Sequence, residues 1–181
     1  MNSITKHFAD VVEAIQLQDV EEIEKVCVLL KGAKNRGATV WICGNGGSSA
    51  TAGHFANDLV KMAGVRAIDV SALTPVTLAY GNDHGWNRMF VDVIKAMANP
   101  MDVIFLISCS GNSENIVCVA TECNFMCDIV ALTGPEGGML AELHESSFIA
   151  CLVRVMAEDI KAQEDLHLVI CHAIAGALCD G

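Results

Sequence analysis

A chain of 181 residues that is 52% hydrophobic has material for one packed domain and too little for two of ordinary size. Its 22 acids against 11 bases leave a formal net charge of −11, which repels a nucleic-acid backbone or an anionic membrane and argues against either as a partner. The longest apolar stretches are strand-length, and the start, Met1 to His7, lacks a basic segment followed by an apolar one, so a cytoplasmic protein without leader or anchor is expected.

In chain order, Val11, Val12 and Ile15, then Val20, Ile23, Val26, Cys27 and Leu30, recur at three-and-four spacing and predict two helices before residue 36. Asp19, followed by Glu21 and Glu22, reads as the cap of the second. After Gly37 short apolar runs alternate with turns and helical patterns. Strands are predicted over residues 39–43, 67–70, 102–107, 128–132 and 148–153, and helices near 49–62, 86–98, 113–124, 138–144 and 158–178. Such alternation, with β-branched strands apolar on both sides, predicts a parallel sheet covered by helices, with ligands outside the carboxyl ends of the strands. The expected organisation is one domain over residues 1–181, a helical pair at 1–36 and an α/β core at 37–181. The pair either covers a sheet edge or packs on a second copy.

Two turns stand where a predicted strand gives way to a helix: Gly44-Asn45-Gly46-Gly47-Ser48-Ser49 and Ser108-Cys109-Ser110-Gly111-Asn112-Ser113. Glycines allow close backbone approach, serines add donors, and a helix N-terminus supplies about half a positive charge, a setting that suits phosphate. Neither turn has the Gly-Lys-Ser/Thr ending of a P-loop or the Rossmann glycine spacing. Because the chain is acidic overall, its anion must be held by local dipoles in a mostly enclosed pocket.

Nine cysteines, an odd number lying mostly in apolar runs, read as reduced, buried thiols; Cys123 and Cys127 have no second pair at zinc-ribbon spacing. Cys109 differs because it lies inside the second turn. His54 and Asp58, four apart on the helix opened by the first turn, share one face, and Asp58 is a candidate base or metal ligand. On the last helix the acids read mostly as a solvated face, whereas of His167 and His172 one is expected in a site. His54, Asp58, Glu164 and His172 together offer nitrogen and oxygen ligands compatible with zinc. Glu164 and His172 are separated by about 12 Å of helix, so both reach one ion only with extended side chains or from two chains. Asn82 and Asp83, in a predicted polar loop around residues 80–87, read equally as sugar-hydroxyl ligands and as turn chemistry.

Taken in order, Ile42–Ser48, His54-Phe55-Ala56, Gly81–Gly85, Ser108–Ser113, Leu132-Thr133-Gly134 and the helix from Glu164 to His172 carry a resemblance to the sugar isomerase (SIS) domain family, and within it to the isomerases of phosphorylated heptoses. The resemblance runs from the opening helices to about Leu178. It implies a three-layer α/β/α sandwich with a five-stranded parallel flavodoxin-like sheet, preceded by two helices, and an aldose–ketose isomerase of a phosphorylated seven-carbon sugar, working as a homotetramer with shared sites. It also implies roles: Asn45, Gly46, Gly47 and Ser48, then Asn82 and Asp83, with Asp58 and Glu164, for substrate; Ser108, Cys109, Ser110 and Ser113 for its phosphate; His54, Asp58, Glu164 and His172 for zinc; Asp58 as base and His172 as acid. Asp58 stands where the family usually has glutamate, Cys109 where it has threonine, and Glu164 where it has a glutamine ligand, with Gln163 one residue away. Alternative readings are an isomerase of another sugar phosphate, a non-catalytic scaffold of the replication-initiator-associating type, and a phosphosugar sensor, for which no basic DNA-binding segment is left over.

Overall fold

A computed structural model describes residues 2–179. Strands β1 (Thr39–Gly44), β2 (Arg66–Asp69), β3 (Val103–Ser108), β4 (Asp128–Thr133) and β5 (Cys151–Arg154) form one sheet in the order β2-β1-β3-β4-β5, every pairing parallel. Helix α3 (Gly46–Lys61) leads from β1 to β2, α6 (Glu114–Cys123) from β3 to β4, and α7 (Gly138–Glu145) from β4 to β5. Helices α4 (Thr74–His84) and α5 (Val91–Met97) stand between β2 and β3, α1 (Ser3–Gln16) and α2 (Val20–Asn35) precede the sheet, and α8 (Ile160–Cys179) ends the described chain. None of these helices is long and apolar enough to cross a membrane.

Alternate strand residues serve two cores. Val40, Ile42, Val103, Phe105, Ile107, Val130 and Leu132 pack with Val26 and Leu30 of α2, Phe55 and Leu59 of α3, and Leu166, Ile170 and Ile174 of α8. Trp41, Cys43, Ile104, Leu106, Ile129 and Ala131 pack with Val93 and Ile94 of α5, Ile116 and Val119 of α6, and Leu140 of α7. Burial of both faces is why the central strands read as unbroken apolar runs. At the amino edge of the sheet the Asp102 carboxylate accepts from Thr39 N (2.8 Å), Trp41 Nε1 (2.9 Å) and Asn99 N (2.9 Å), holding β1 and β3 in register. Burial pushes its pKa up, but these donors outweigh burial and leave it below the usual carboxylate range.

Asp19 caps α2 by accepting from Glu22 N, and Val26, Leu30 and Ala33 bury that helix against the sheet, so α2 covers a sheet face. Glu22 Oε1 also accepts from Leu152 N on edge strand β5 (3.3 Å). On α1, Ile4, Phe8, Val12 and Ile15 stay exposed.

Four boundaries differ from expectation. The stretch expected as a polar loop from Tyr80 is helical through His84, in α4. Pro75 starts that helix and Gly85, at φ +102°, ends it; Thr77 is its buried residue and Leu78 faces out, so no apolar period marks it. The expected helix 86–98 is a 3-10 turn (Trp86–Arg88) followed by α5. Helix α3 begins at Gly46, which brings Gly46 and Gly47 into its first turn, and β5 begins at Cys151 rather than at residue 148.

Candidate active site

The chain leaves β1 for β2 and β3 for β4, in opposite directions across the sheet, with α3 packed on one face and α6 on the other. The loops after β1 and β3 therefore flank the crevice where strand order reverses, the usual ligand position in open parallel sheets. An amide pair locks them together: Asn45 Nδ2 donates to Asn115 Oδ1 and Asn115 Nδ2 donates back to Asn45 Oδ1, both at 2.9 Å. Asn115 is fully buried; Asn45 is half-buried and keeps one N–H for a ligand. The first loop is also tied to the end of β2, since Ser71 Oγ donates to Asp69 Oδ1 and so accepts from Ser49 Oγ at 2.6 Å.

In the second loop Ser110 Oγ accepts from Asn112 N (3.1 Å), leaving the Ser110 proton free to donate outward. Asn112 Oδ1 accepts from Met139 N (2.8 Å) and Gly111 O from Leu140 N (3.1 Å), which braces the loop on α7. Gly111 has φ +64°, and a Cβ there would strike the Gly137 carbonyl, so only glycine fits this turn. Ser108 Oγ and Ser113 Oγ lie 3.2 Å apart, and Ser113, the N-cap of α6, makes no capping bond, so the first turn of α6 presents its N–H groups to the loop. The matching end of α3 is treated differently. Its N-cap Asn45 also makes no capping bond, and the Glu164 carboxylate lies where a Cβ of residue 47 would be. A phosphate is therefore favoured at α6 and disfavoured at α3.

Farther along α3, Asp58 and His54 meet His172 of α8. Asp58 Oδ2 is 3.3 Å from His54 Nε2 and 3.6 Å from His172 Nε2, and the two Nε2 atoms are 2.9 Å apart. Asp58 is buried, its side chain 10% exposed, whereas His54 (49%) and His172 (50%) open to the surface. Asn57 Nδ2 donates to Asp58 Oδ1 at 3.1 Å, so Oδ2 is the oxygen turned to the imidazoles. The two Nε2 atoms and Asp58 Oδ2 thus face one another across a small space. Donor atoms on a tetrahedral zinc with bonds of about 2.05 Å sit about 3.3 Å apart, so these three residues fit such an ion. Their ligand atoms all lie within 4.8 Å of one another. Glu164, the fourth residue of the expected set, is not in this group and lies instead at Gly47, because eight residues of α8 separate it from His172.

Of the neighbouring pair on α8, Glu164 thus faces the first loop, while the Gln163 amide donates to Ala157 O (2.8 Å) and abuts Gly134. Asn82 and Asp83 are exposed near the end of α4, where Asn82 Nδ2 donates to Asp83 Oδ1. His172 is in the three-residue group, whereas His167 is fully buried on α8. Sequence reasoning missed Asn115, Ser71 and Asn57. Asn115 alone left a signal, a polar residue one position into an otherwise apolar helix. A groove of about 530 Å³ between α1 and the loops after β4 and β5 is lined by Lys6 but also by Asp10, Glu13, Glu136 and Glu158, which disfavours an anion there.

The SIS domain profile matches residues 5–134, and the chain belongs to the SIS domain family, in its phosphoheptose isomerase branch. It is 35% identical over 159 residues to the phosphoheptose isomerase of Helicobacter hepaticus, covering 84% of this chain and 76% of that one. Its fold is similar to that of a phosphoheptose isomerase from Francisella tularensis, with a TM-score of 0.89 at 25% identity over 100% of both chains. For the phosphoheptose isomerase from Neisseria gonorrhoeae the TM-score is 0.88 at 27% identity over 97% of both.

Proposed function

We propose that this protein is an aldose–ketose isomerase that converts sedoheptulose 7-phosphate to D-glycero-D-manno-heptose 7-phosphate through an enediol, a step of heptose biosynthesis. The observation that carries the reading is the meeting of one buried carboxylate with two imidazoles at His54, Asp58 and His172, in a chain of this family. Asp58 takes the proton from C1 of the ketose while His172 gives one to the C2 oxygen from Nδ1, its Nε2 being turned to His54 and Asp58. The enediol then receives the Asp58 proton at C2, and the C1 hydroxyl proton returns to His172, so no net proton is consumed. Burial of Asp58 and the Asn57 contact on Oδ1 hold the carboxylate in one place for both transfers.

Ser108, Ser110 and Ser113, with the main chain of Cys109, hold the phosphate against α6. Asn45, Gly46, Gly47, Ser48 and Glu164, with Asn82 and Asp83, hold the sugar hydroxyls. His54, Asp58 and His172 would hold zinc, which when bound polarises the carbonyl oxygen and fixes the chain geometry. In its own chain Glu164 serves the substrate loop. A homotetramer fits the exposed Ile4, Phe8, Val12 and Ile15 stripe of α1, and a cytoplasmic setting fits nine cysteines that are all free thiols.

Incubation of purified protein with sedoheptulose 7-phosphate in deuterated buffer tests the chemistry. The enediol route puts solvent deuterium on C2 of the aldose to the extent that the proton held by Asp58 exchanges before it is returned; a complete absence of deuterium on carbon even after prolonged equilibration of the two sugars, or no conversion, contradicts it.

A further inference from the structure

Within the isomerase reading, on which this inference rests, we propose that His167 is a positioning residue for the phosphate loop, holding the Cys109 thiol turned away from the substrate so that the loop's N–H groups and serine hydroxyls face the phosphate. His167 is fully buried on α8 between the end of β4 and the loop after β3. Its Nε2 lies 3.2 Å from Thr133 O. A carbonyl only accepts, so Nε2 carries the ring proton and Nδ1 presents a lone pair. That lone pair faces Cys109 Sγ at 3.9 Å, which makes the thiol the donor. Burial, first among the causes, pushes the pKa of the Cys109 thiol up, so the sulfur keeps the proton it donates.

The hydrogen bonds therefore run in one direction, from the Cys109 thiol to His167 Nδ1 and from His167 Nε2 to Thr133 O. The main chain reinforces them, because Cys109 O accepts from Gly134 N at 2.8 Å. The loop after β3 is thus keyed to the end of β4 through one ring and one main-chain hydrogen bond. Five residues farther along the same helix stands His172, so α8 sets the phosphate loop and the His54–Asp58–His172 group relative to each other. Burial also keeps the ring neutral, with a pKa pushed down to about 4, as an acceptor toward Cys109 requires.

Two near-isosteric variants separate the two halves of the contact. His167→Gln keeps a donor for Thr133 O and loses the acceptor for Cys109; His167→Asn keeps an acceptor on the Cys109 side and loses the Thr133 contact. The expected result for His167→Gln is a three- to tenfold rise, about the worth of one buried hydrogen bond, in KM for sedoheptulose 7-phosphate and in Kd for inorganic phosphate, with kcat and bound zinc unchanged. In a Cys109→Ala background the same substitution adds no further rise, and His167→Asn stays nearer the wild-type KM while losing more stability. Wild-type KM and Kd in His167→Gln, a loss confined to kcat, or an undiminished effect in the Cys109→Ala background overturns the inference. Should His167→Gln fail to fold, Cys109→Ser and Cys109→Ala decide: the serine keeps a donor for Nδ1 and must bind inorganic phosphate more tightly than the alanine, and equal affinities overturn the inference. If the wild type does not turn over the sugar phosphate at all, the isomerase reading fails, while the inorganic phosphate titration still reads the role of His167.

Discussion

The reciprocal amide pair between Asn45 and Asn115 yields the most quantitative expectation. Replacing Asn115 with alanine removes two hydrogen bonds of 2.9 Å, each worth about 0.5–1.5 kcal/mol net, so the interaction is worth about 1–3 kcal/mol. The two single variants are not equivalent. Asn115→Ala leaves the amide of Asn45 unpaired but half-buried, where water reaches it, whereas Asn45→Ala strands the amide of Asn115 in a fully buried place. Asn45→Ala therefore costs stability through an orphaned amide, and Asn115→Ala costs it through a small cavity. Urea unfolding of the wild type, both single variants and the double variant closes a cycle whose coupling should be about 1–3 kcal/mol. Both single variants also uncouple the two loops, so KM for the sugar phosphate should rise in each. A coupling no larger than about 0.5 kcal/mol, the scatter of independent sites, refutes the claim that this pair locks the loops together.

Asp58→Asn should lower kcat about 10²–10⁴-fold while the fold is retained by circular dichroism, because the amide keeps the shape but cannot take a proton. His167, with its pKa pushed to about 4 against about 6.5 in an unfolded chain, makes its full contribution to stability above pH 6.5. As pH falls from about 6.5 to 4 the unfolded state gains the proton first, and up to about 3 kcal/mol is lost. The stability difference between wild type and His167→Gln, followed by urea unfolding, should show this slope and be flat above pH 7. Asp102, held below the usual carboxylate range, contributes stability that is complete above about pH 4 and disappears as pH falls through its folded pKa. Asp102→Asn should cost about 1.5–3 kcal/mol at neutral pH with KM and kcat unchanged, since this residue is at the amino edge of the sheet, opposite the loops.

How much of this was legible in the sequence depends on how far apart the partners lie. The central strands β1, β3 and β4 were visible as apolar runs, because burial on both faces leaves no other residue type tolerable at Val40, Ile104 or Val130. The two glycine-serine turns were visible because glycine and serine carry their chemistry locally, at Gly111 and Ser110. His54 and Asp58 announced each other at one turn of helix, yet their meeting with His172 crosses from α3 to α8 and entered through family resemblance. For Glu164 and His172 the helical rise did give a warning: eight residues of α8 put one at Gly47 and the other at Asp58. Helix α4 was hidden because it is poorly buried, and Asn82 and Asp83 lie in its exposed last turn. Asn115 and the Cys109–His167 contact depend on partners 70 and 58 residues away, which no local pattern encodes.

The central claim is that His54, Asp58 and His172 form a metal-supported acid–base site acting on a phosphorylated heptose. Its most direct test is turnover of sedoheptulose 7-phosphate by purified protein that has been stripped of metal and then resupplied with zinc, with bound zinc counted in the wild type and in His54→Ala. The account predicts that activity falls on stripping, returns with about one zinc per chain, and that His54→Ala recovers neither metal nor activity. Full activity in the stripped protein, or zinc bound equally well without His54, contradicts the proposed metal site, and no turnover in any state contradicts the proposed reaction.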